Sequence, residues 1–400
     1  MKTDVTLPEP LVRRFMPELD VLRGIAVLGV LFFHGFGVEY GNVGGAAKAV
    51  ILVARCGAFG VNLFFVLSGF LITGILLDSR SRPDYYRRFY VRRVLRILPA
   101  YYSLLLLLAL LHQGSAAFLG LSFIYLSNVT SLFGVSMDYN PLWSLAVEEH
   151  YYILWPSVVR KLKTRFLAIF SIAICVIVPV IRALAFHYGY FQGTEWSTWY
   201  QADGLALGSL LGIALRTLVT RKQATVAAAA LLGVGPALLL AGAPFGLLSR
   251  QTELGASLQL TLVNVFFAGL LLLFLVLGSS SRRILVNNSF LQFFGYISYG
   301  LYLIQLLIFR LFYRLTQSYW PGFEPSGHLG LMVFRFAVVS SVAITVAYVS
   351  RKYFEEYFLR LKDRPASAED RSTTTSAPSS AVPESPEVAL AAKVAARDVG

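Results

Sequence analysis

Apolar runs about as long as a bilayer is thick recur along the chain, separated by short polar or basic segments. They lie near residues 22–40, 58–78, 95–112, 143–159, 166–186, 202–219, 224–243, 257–277, 290–313 and 329–350. A helix needs about 20 predominantly apolar residues to cross the hydrocarbon core. The pattern therefore predicts an all-α, polytopic membrane bundle of about ten transmembrane helices. Residues 116–134 are also apolar, but Gly120, Asn128 and Gly134 interrupt them, and they read as an extracytoplasmic loop or re-entrant piece.

Charge supports that count and gives it a direction. With the N-terminal segment 1–14 in the cytoplasm, ten crossings gather Arg80 to Arg96, Arg160 to Arg165, Arg221 and Lys222, Arg282 and Arg283, and the cations after residue 350 on the same side. Lys48, Arg55, Arg250 and Arg314 are left outside, which is the asymmetry of the positive-inside rule. An eleventh crossing at 116–134 would turn the later basic loops outward. Both termini are thus expected inside, with a membrane domain over 15–360. Residues 361–400, rich in Ser, Thr, Ala, Pro and Glu, are expected to form a disordered cytoplasmic tail. The first apolar run is too long for a signal-peptide core and lacks a small-x-small cleavage site, so no signal peptide is expected.

Composition agrees. Hydrophobic residues make up 56% of the chain and charged residues 14%, against about a quarter charged in a soluble domain. The net charge of +13 does not point to nucleic acid, because the cations fall between the apolar runs. Two cysteines exclude a disulfide scaffold or a Cys-rich zinc module. Cys56, near the end of a loop, and Cys175, in an apolar run, read as bystanders, and no metal site is expected. The lack of a fixed-period repeat weighs against an inverted-repeat transporter.

Ionisable residues inside spans are costly and become candidates for function. On the first span Asp20 and Arg23 are i,i+3 neighbours that can pair. Arg23 and His34 are eleven residues apart, about three helical turns, so they share a face. The fourth span begins with Trp143, Ser144 and Leu145 and carries Glu148 and Glu149 in its outer half, at a depth similar to His34. A carboxylate beside an imidazole fixes its tautomer and supports the imidazolium formed during proton abstraction. A packed, hydrogen-bonded histidine and a structural Glu–Arg bridge are the competing readings. Asp203 opens the sixth span as a supporting group or an N-cap. Arg93 and Arg96 lie on one face of the third span and suit phosphate groups, or serve topology alone. Ser68 and Gly69 permit close helix approach, and Asn62 needs a partner.

In combination these motifs resemble the acyltransferase-3 family of integral membrane O-acyltransferases, which includes bacterial O-acetylases of lipopolysaccharide, capsule, macrolides and Nod factors. The resemblance rests on Arg23-x10-His34, Phe64-Phe65-x-x-Ser68-Gly69, Arg93-x-x-Arg96-Ile97-x-Pro99 and Trp143-Ser144-Leu145-x-x-Glu148-Glu149, with Asp203-Gly204-Leu205, Ile297-Ser298-Tyr299 and Tyr302-Leu303 further on. It covers residues 13–360. It implies transfer of an acyl group, usually acetyl, from cytoplasmic acyl-CoA as donor substrate to a carbohydrate-type hydroxyl across a bacterial cytoplasmic membrane. His34 would be the catalytic histidine, Glu148 or Glu149 its acidic partner, and Arg93 and Arg96 the donor-side residues. No permanently bound cofactor is implied. Gln201 stands where the family often has Arg, Gln305 where it commonly has His, and Glu355-Glu356-Tyr357 where it has Glu-x-Pro. No fused hydrolase-like domain is expected, so the acceptor would bind through the membrane domain or with a separate extracytoplasmic partner. The rival is a transporter or exporter without bond chemistry. A polyprenyl-phosphate glycosyltransferase would want an Asp-x-Asp, which is absent from the sequence.

Overall fold

The computed structural model describes residues 11–13, 15–37, 45–217, 219–278, 287–320 and 329–361, and among them every regular element is helical. In chain order these are α1 Pro17–Phe32, continued by a π turn Phe33–Gly37, then α2 Gly45–Cys56, α3 Gly60–Asp78, α4 Tyr85–Leu110 and α5 Ala116–Phe123. They are followed by α6 Leu142–Lys161, α7 Thr164–His187, α8 Thr198–Ala214, α9 Arg221–Gly242 and α10 Glu253–Gly278. The last are α11 Ser289–Tyr319, α12 Leu329–Val349, a π segment Ser350–Glu355 and α13 Glu356–Leu361. Each of the ten predicted runs coincides with a helix. The expected tail over 361–400, beyond residue 361, and most of segment 1–14 lie outside the described residues.

Eight helical stretches are long and apolar enough to cross a membrane. The two remaining predicted spans, α6 and α8, are not among them. α6 carries Glu148, Glu149 and His150, and α8 has only 17 residues. Their neighbours explain how they manage this: α8 packs between α3 and α7, and α6 lies against α3 and α8. A helix shielded by other helices need not present an apolar surface to lipid. On α7, by contrast, exposed Phe166, Ile169, Phe170, Ile177, Val180 and Leu184 form a stripe at helical spacing, facing outward as lipid requires.

The helix ends expected in the cytoplasm meet one another. Arg216, just past α8, donates from Nε and Nη2 to the two carboxylate oxygens of Asp78 at the end of α3, at 2.7 Å each. Arg80 donates to the carbonyls of Arg160 and Leu162 at the end of α6. Glu18, at the start of α1, pairs with Arg13, and both pack on Gly278 at the end of α10. The opposite ends meet likewise, with His187 of α7 3.8 Å from Glu253 of α10. For α1, α3, α6, α7, α8 and α10 these contacts fit the directions that ten crossings demand.

Close approach occurs where the small residues are. A Cβ on Gly69 of α3 would lie 2.0 Å from the Leu205 carbonyl oxygen, and one on Gly208 of α8 would lie 2.0 Å from that of Val66. The two backbones touch directly, a packing mode that lipid-embedded helices favour. Asn62 finds its partner in Asn264, donating from Nδ2 to Oδ1 at 2.9 Å.

Several expectations change. Residues 45–56, expected as loop, form α2, because Ala47, Ile51 and Ala54 repeat at helical spacing and bury against Phe36 and Met332. Cys56 thus closes a helix rather than a loop. The third span starts well before residue 95: Tyr85 and Phe89 are buried on α4, and Arg93 lies over the Phe89 ring. Residues 116–134, by contrast, stay a non-crossing piece as expected, folding into α5, eight residues long, and a 3₁₀ turn over Ser127–Phe133. At about 12 Å, α5 is too short to cross.

Candidate active site

Ser144, Glu148 and Tyr152 are spaced i, i+4, i+8 on α6 and so stack along one face. All three line an internal cavity that also receives Ser68 from α3, Arg93 and Arg96 from α4 and Tyr302 from α11. Ser68 Oγ donates to Glu148 Oε1 at 2.5 Å, and Tyr152 Oη donates to Ser68 Oγ at 3.2 Å. Glu149 lines the same cavity, so both carboxylates face one internal space rather than dividing between interior and water. The Arg93 guanidinium sits 4.8 Å from the centre of the Tyr152 ring. Arg23 reaches the cavity from α1, held by Asp20 at 2.6 Å in the i,i+3 pair expected from spacing.

A second, basic cavity is lined by Arg88, Arg92, Arg93, Arg96, Ser79 and Tyr85 among others. It lies at the α3–α4 turn, on the side where the cytoplasmic ends gather. Arg93 and Arg96 line both cavities and join them. Their planar guanidinium groups suit bidentate contact with phosphate oxygens.

His34 stands on the π turn that ends α1. It lines a third cavity together with Asn62, Trp143, Trp196, Gln201 and Arg250. It also lines a cleft formed with α11 and α12. Its Nδ1 is buried without a hydrogen-bond partner among the described residues. Nothing among the described residues joins His34 to Glu148 or Glu149 by hydrogen bond or ion pair, and the carboxylates line the first cavity instead. The imidazole–carboxylate contact expected from the sequence is thus not formed. Ser68 engages Glu148 from α3, and the regular α-helical rotation that put His34 on the Arg23 face stops at Phe32, where the helix widens into its π turn. The first and third cavities nevertheless adjoin, since Val61 and Tyr302 line both. There Tyr302 Oη and Ser144 Oγ lie 2.5 Å apart.

The supporting residues separate into two groups. Trp143 forms part of the third cavity's wall, its ring centre 4.9 Å from that of Trp196 and 5.9 Å from that of Phe65. Asp203 is not an N-cap, because α8 begins after Ser197 and Asp203 lies within it. Its Oδ2 accepts from Arg182 Nη2 at 2.7 Å and from Thr261 Oγ1 at 2.6 Å, tying α8 to α7 and α10 behind the site. The sequence reading does not include Arg182, although a single arginine in an apolar run signals a buried partner. It also omits Tyr152 as a site residue, which its i+4 spacing from Glu148 marks out. Tyr302 becomes a site residue only through tertiary packing.

Four spaces therefore succeed one another: the basic cavity, the carboxylate cavity, the His34 cavity and the outer cleft, each sharing residues with the next. Residues 16–350 match the acyltransferase-3 family, described as an acyltransferase domain. The peptidoglycan O-acetyltransferase OatA of Listeria monocytogenes is 30% identical over 167 residues, covering 36% of this chain and 24% of that protein. YrhL of Bacillus subtilis is 31% identical over 239 residues, 52% of this chain and 34% of that protein. The O-acetyltransferase OatA of Staphylococcus aureus is 31% identical over 176 residues, 38% and 26% respectively. The matched region spans about a quarter to a third of the length of these relatives. No solved structure matches the chain.

Proposed function

The chain belongs to the acyltransferase-3 family, and we propose that it moves an acetyl group from cytoplasmic acetyl-CoA to a carbohydrate-type hydroxyl on the far face of a bacterial cytoplasmic membrane. The observation that carries this reading is the succession of adjoining cavities from the arginines to His34. Relatives named as O-acetyltransferases, one of them for peptidoglycan, favour acetyl as the group and a cell-envelope glycan as the acceptor.

In this reading Arg93 and Arg96 bind the phosphates of the donor, and the thioester arm reaches past Ser68 and Glu148 toward Tyr302. Glu148 and Glu149 act on the donor side. Glu148 is fixed by Ser68 within electrostatic reach of Arg93 and Arg96, which keeps the guanidinium groups oriented for phosphate. His34 works as general base at the acceptor side. It takes the hydroxyl proton as the oxygen attacks the acyl carbon, the C–S bond breaks, and the thiolate leaves as CoA and is protonated in turn.

General-base catalysis contributes about 10²–10⁴-fold, so His34→Ala in a folded protein should lose most acceptor-dependent transfer. The test reconstitutes the full chain in lipid nanodiscs with radiolabelled acetyl-CoA and a cell-wall glycan acceptor, following CoA release and ester formation together. Wild-type protein that releases no CoA in response to acceptor would overturn the proposed activity. Full transfer by folded His34→Ala would overturn the role given to the imidazole.

A further inference from the structure

Trp196 stands in the turn between α7 and α8, at the bundle end expected outside the cytoplasm. Tryptophans at such a level commonly anchor a protein at the membrane interface. Trp199, three residues on, is 41% exposed and suits that role. Trp196 is instead half-buried and packs on Trp143 at the start of α6, their ring centres 4.9 Å apart and their planes at 40°. The turn before it is pinned by buried Gln201, whose Nε2 donates to the Glu195 carbonyl at 2.8 Å. The buried Phe65 ring braces Trp143 in turn, edge to face at 5.9 Å.

Both indoles form part of the wall of the His34 cavity. Its volume, about 320 Å³, is that of a small-molecule site. Asn62, Asn140, Gln201 and Arg250 also line it, and among the described residues no carboxylate does. A lipid tail would have no use for amide and guanidinium groups, and a cationic ligand would want an acid. A pyranose ring matches both parts of the lining. One of its faces is a sheet of polarised C–H bonds, which the negative face of an aromatic ring attracts. Its edge carries hydroxyls that need fixed hydrogen-bonding groups. His34 lines the same space, so a hydroxyl on that edge shares a cavity with the imidazole.

We propose that Trp196, together with Trp143, is the stacking platform for a pyranose ring of the acceptor, and that the enzyme selects acceptors by that ring face as well as by their hydroxyls. The proposal rests on the reading of His34 as the group that acts on the acceptor. The ring lies against the indoles, its edge hydroxyls meet the amides of Asn62, Asn140 and Gln201, and the hydroxyl to be acylated faces His34.

The test measures binding and transfer separately. The full chain is placed in phosphatidylcholine nanodiscs, with empty nanodiscs as the blank. The methyl β-glycoside of N-acetylglucosamine is then compared with N-acetylglucosaminitol by ligand-observed NMR. The alditol keeps the amide and the hydroxyls but has no ring. Stacking on aromatic side chains is strong enough that the glycoside should bind about tenfold more tightly, with its ring C–H protons the most strongly saturated. Trp196→Ala should lose that preference, and Trp196→Phe, which keeps an aromatic face, should retain most of it. Trp196 is only half-buried, so both variants should unfold thermally at the parent's midpoint. Equal binding of glycoside and alditol to the parent would overturn the proposal, as would a preference unchanged in Trp196→Ala. Equal loss in Trp196→Ala and Trp196→Phe, with lowered midpoints, would make the tryptophan a structural wedge and also overturn it. Ring-selective binding that Trp196→Ala abolishes, in a chain that transfers no acetyl group, would support the platform and refute the proposed reaction.

Discussion

Replacing Asp203 with alanine should loosen the bundle behind the site by a calculable amount. The Arg182 side chain is 0% exposed and that of Asp203 3%. Nη2 of Arg182 is bound by Asp203 and Thr261, while its Nε and Nη1 have no partner among the described residues. Asp203→Ala therefore strands a guanidinium in a region that water does not reach. Breaking a buried pair from one side costs about 3–5 kcal/mol, which at about 1.4 kcal/mol per decade is roughly two to four decades in the opening equilibrium. Cys175 is a built-in reporter, its Sγ 3.8 Å from the Asp203 carbonyl oxygen. In a Cys56→Ser background its rate of alkylation in detergent micelles reads the opening of the α7–α8 contact. The rate should rise by the predicted decades in Asp203→Ala and less in Asp203→Asn, which keeps a neutral acceptor. Removing both charges, with Arg182→Leu and Asp203→Leu together, should recover most of the loss. Alkylation of Asp203→Ala within threefold of the parent, or a double variant as open as the single one, would refute the idea that a stranded charge sets the magnitude.

Two further substitutions probe other links. Arg96→Gln should raise the KM for acetyl-CoA about tenfold or more with a smaller change in kcat, measured by steady-state CoA release; an unchanged KM would assign this residue to topology. Gly208→Ala would push a Cβ to within 2.0 Å of the Val66 carbonyl oxygen and force α3 from α8, costing about 1–3 kcal/mol. Thermal unfolding in micelles checks this, and a midpoint equal to that of the parent would show that the two backbones can separate freely.

The ten runs were legible because lipid imposes a length and an apolar content that no other environment does. Even α6 and α8 were read from the same apolar pattern, although shielding inside the bundle lets both fall short of a free-standing span. α2 was not legible: twelve residues with Lys48 and Arg55 resemble a loop until Phe36 and Met332 are known to cover Ala47 and Ile51. The i,i+3 pair of Asp20 and Arg23 could be read from spacing, since both residues lie on one regular helix. The place of His34 could not, because helical arithmetic fails at a π turn and nothing local announces that turn. Which carboxylate meets which partner depends on how α3 and α6 pack, and Ser68 decided it for Glu148. Arg182 left a plain trace, a lone cation in an apolar run, whose partner only the packing of α7 on α8 identifies.

The Tyr302–Ser144 contact where the two cavities adjoin has a bearing on the cell as well as on the proposed reaction. An arginine-lined passage filled with water from end to end would let chloride and hydroxide leak down the membrane potential, and a host cell would lose its stored ion gradient. In the proposed reaction the Ser144–Tyr302 hydroxyl pair, between the two cavities, would be the point any such leak must pass and a slender acyl chain must displace. An enzyme that worked as proposed would have to be an insulator first.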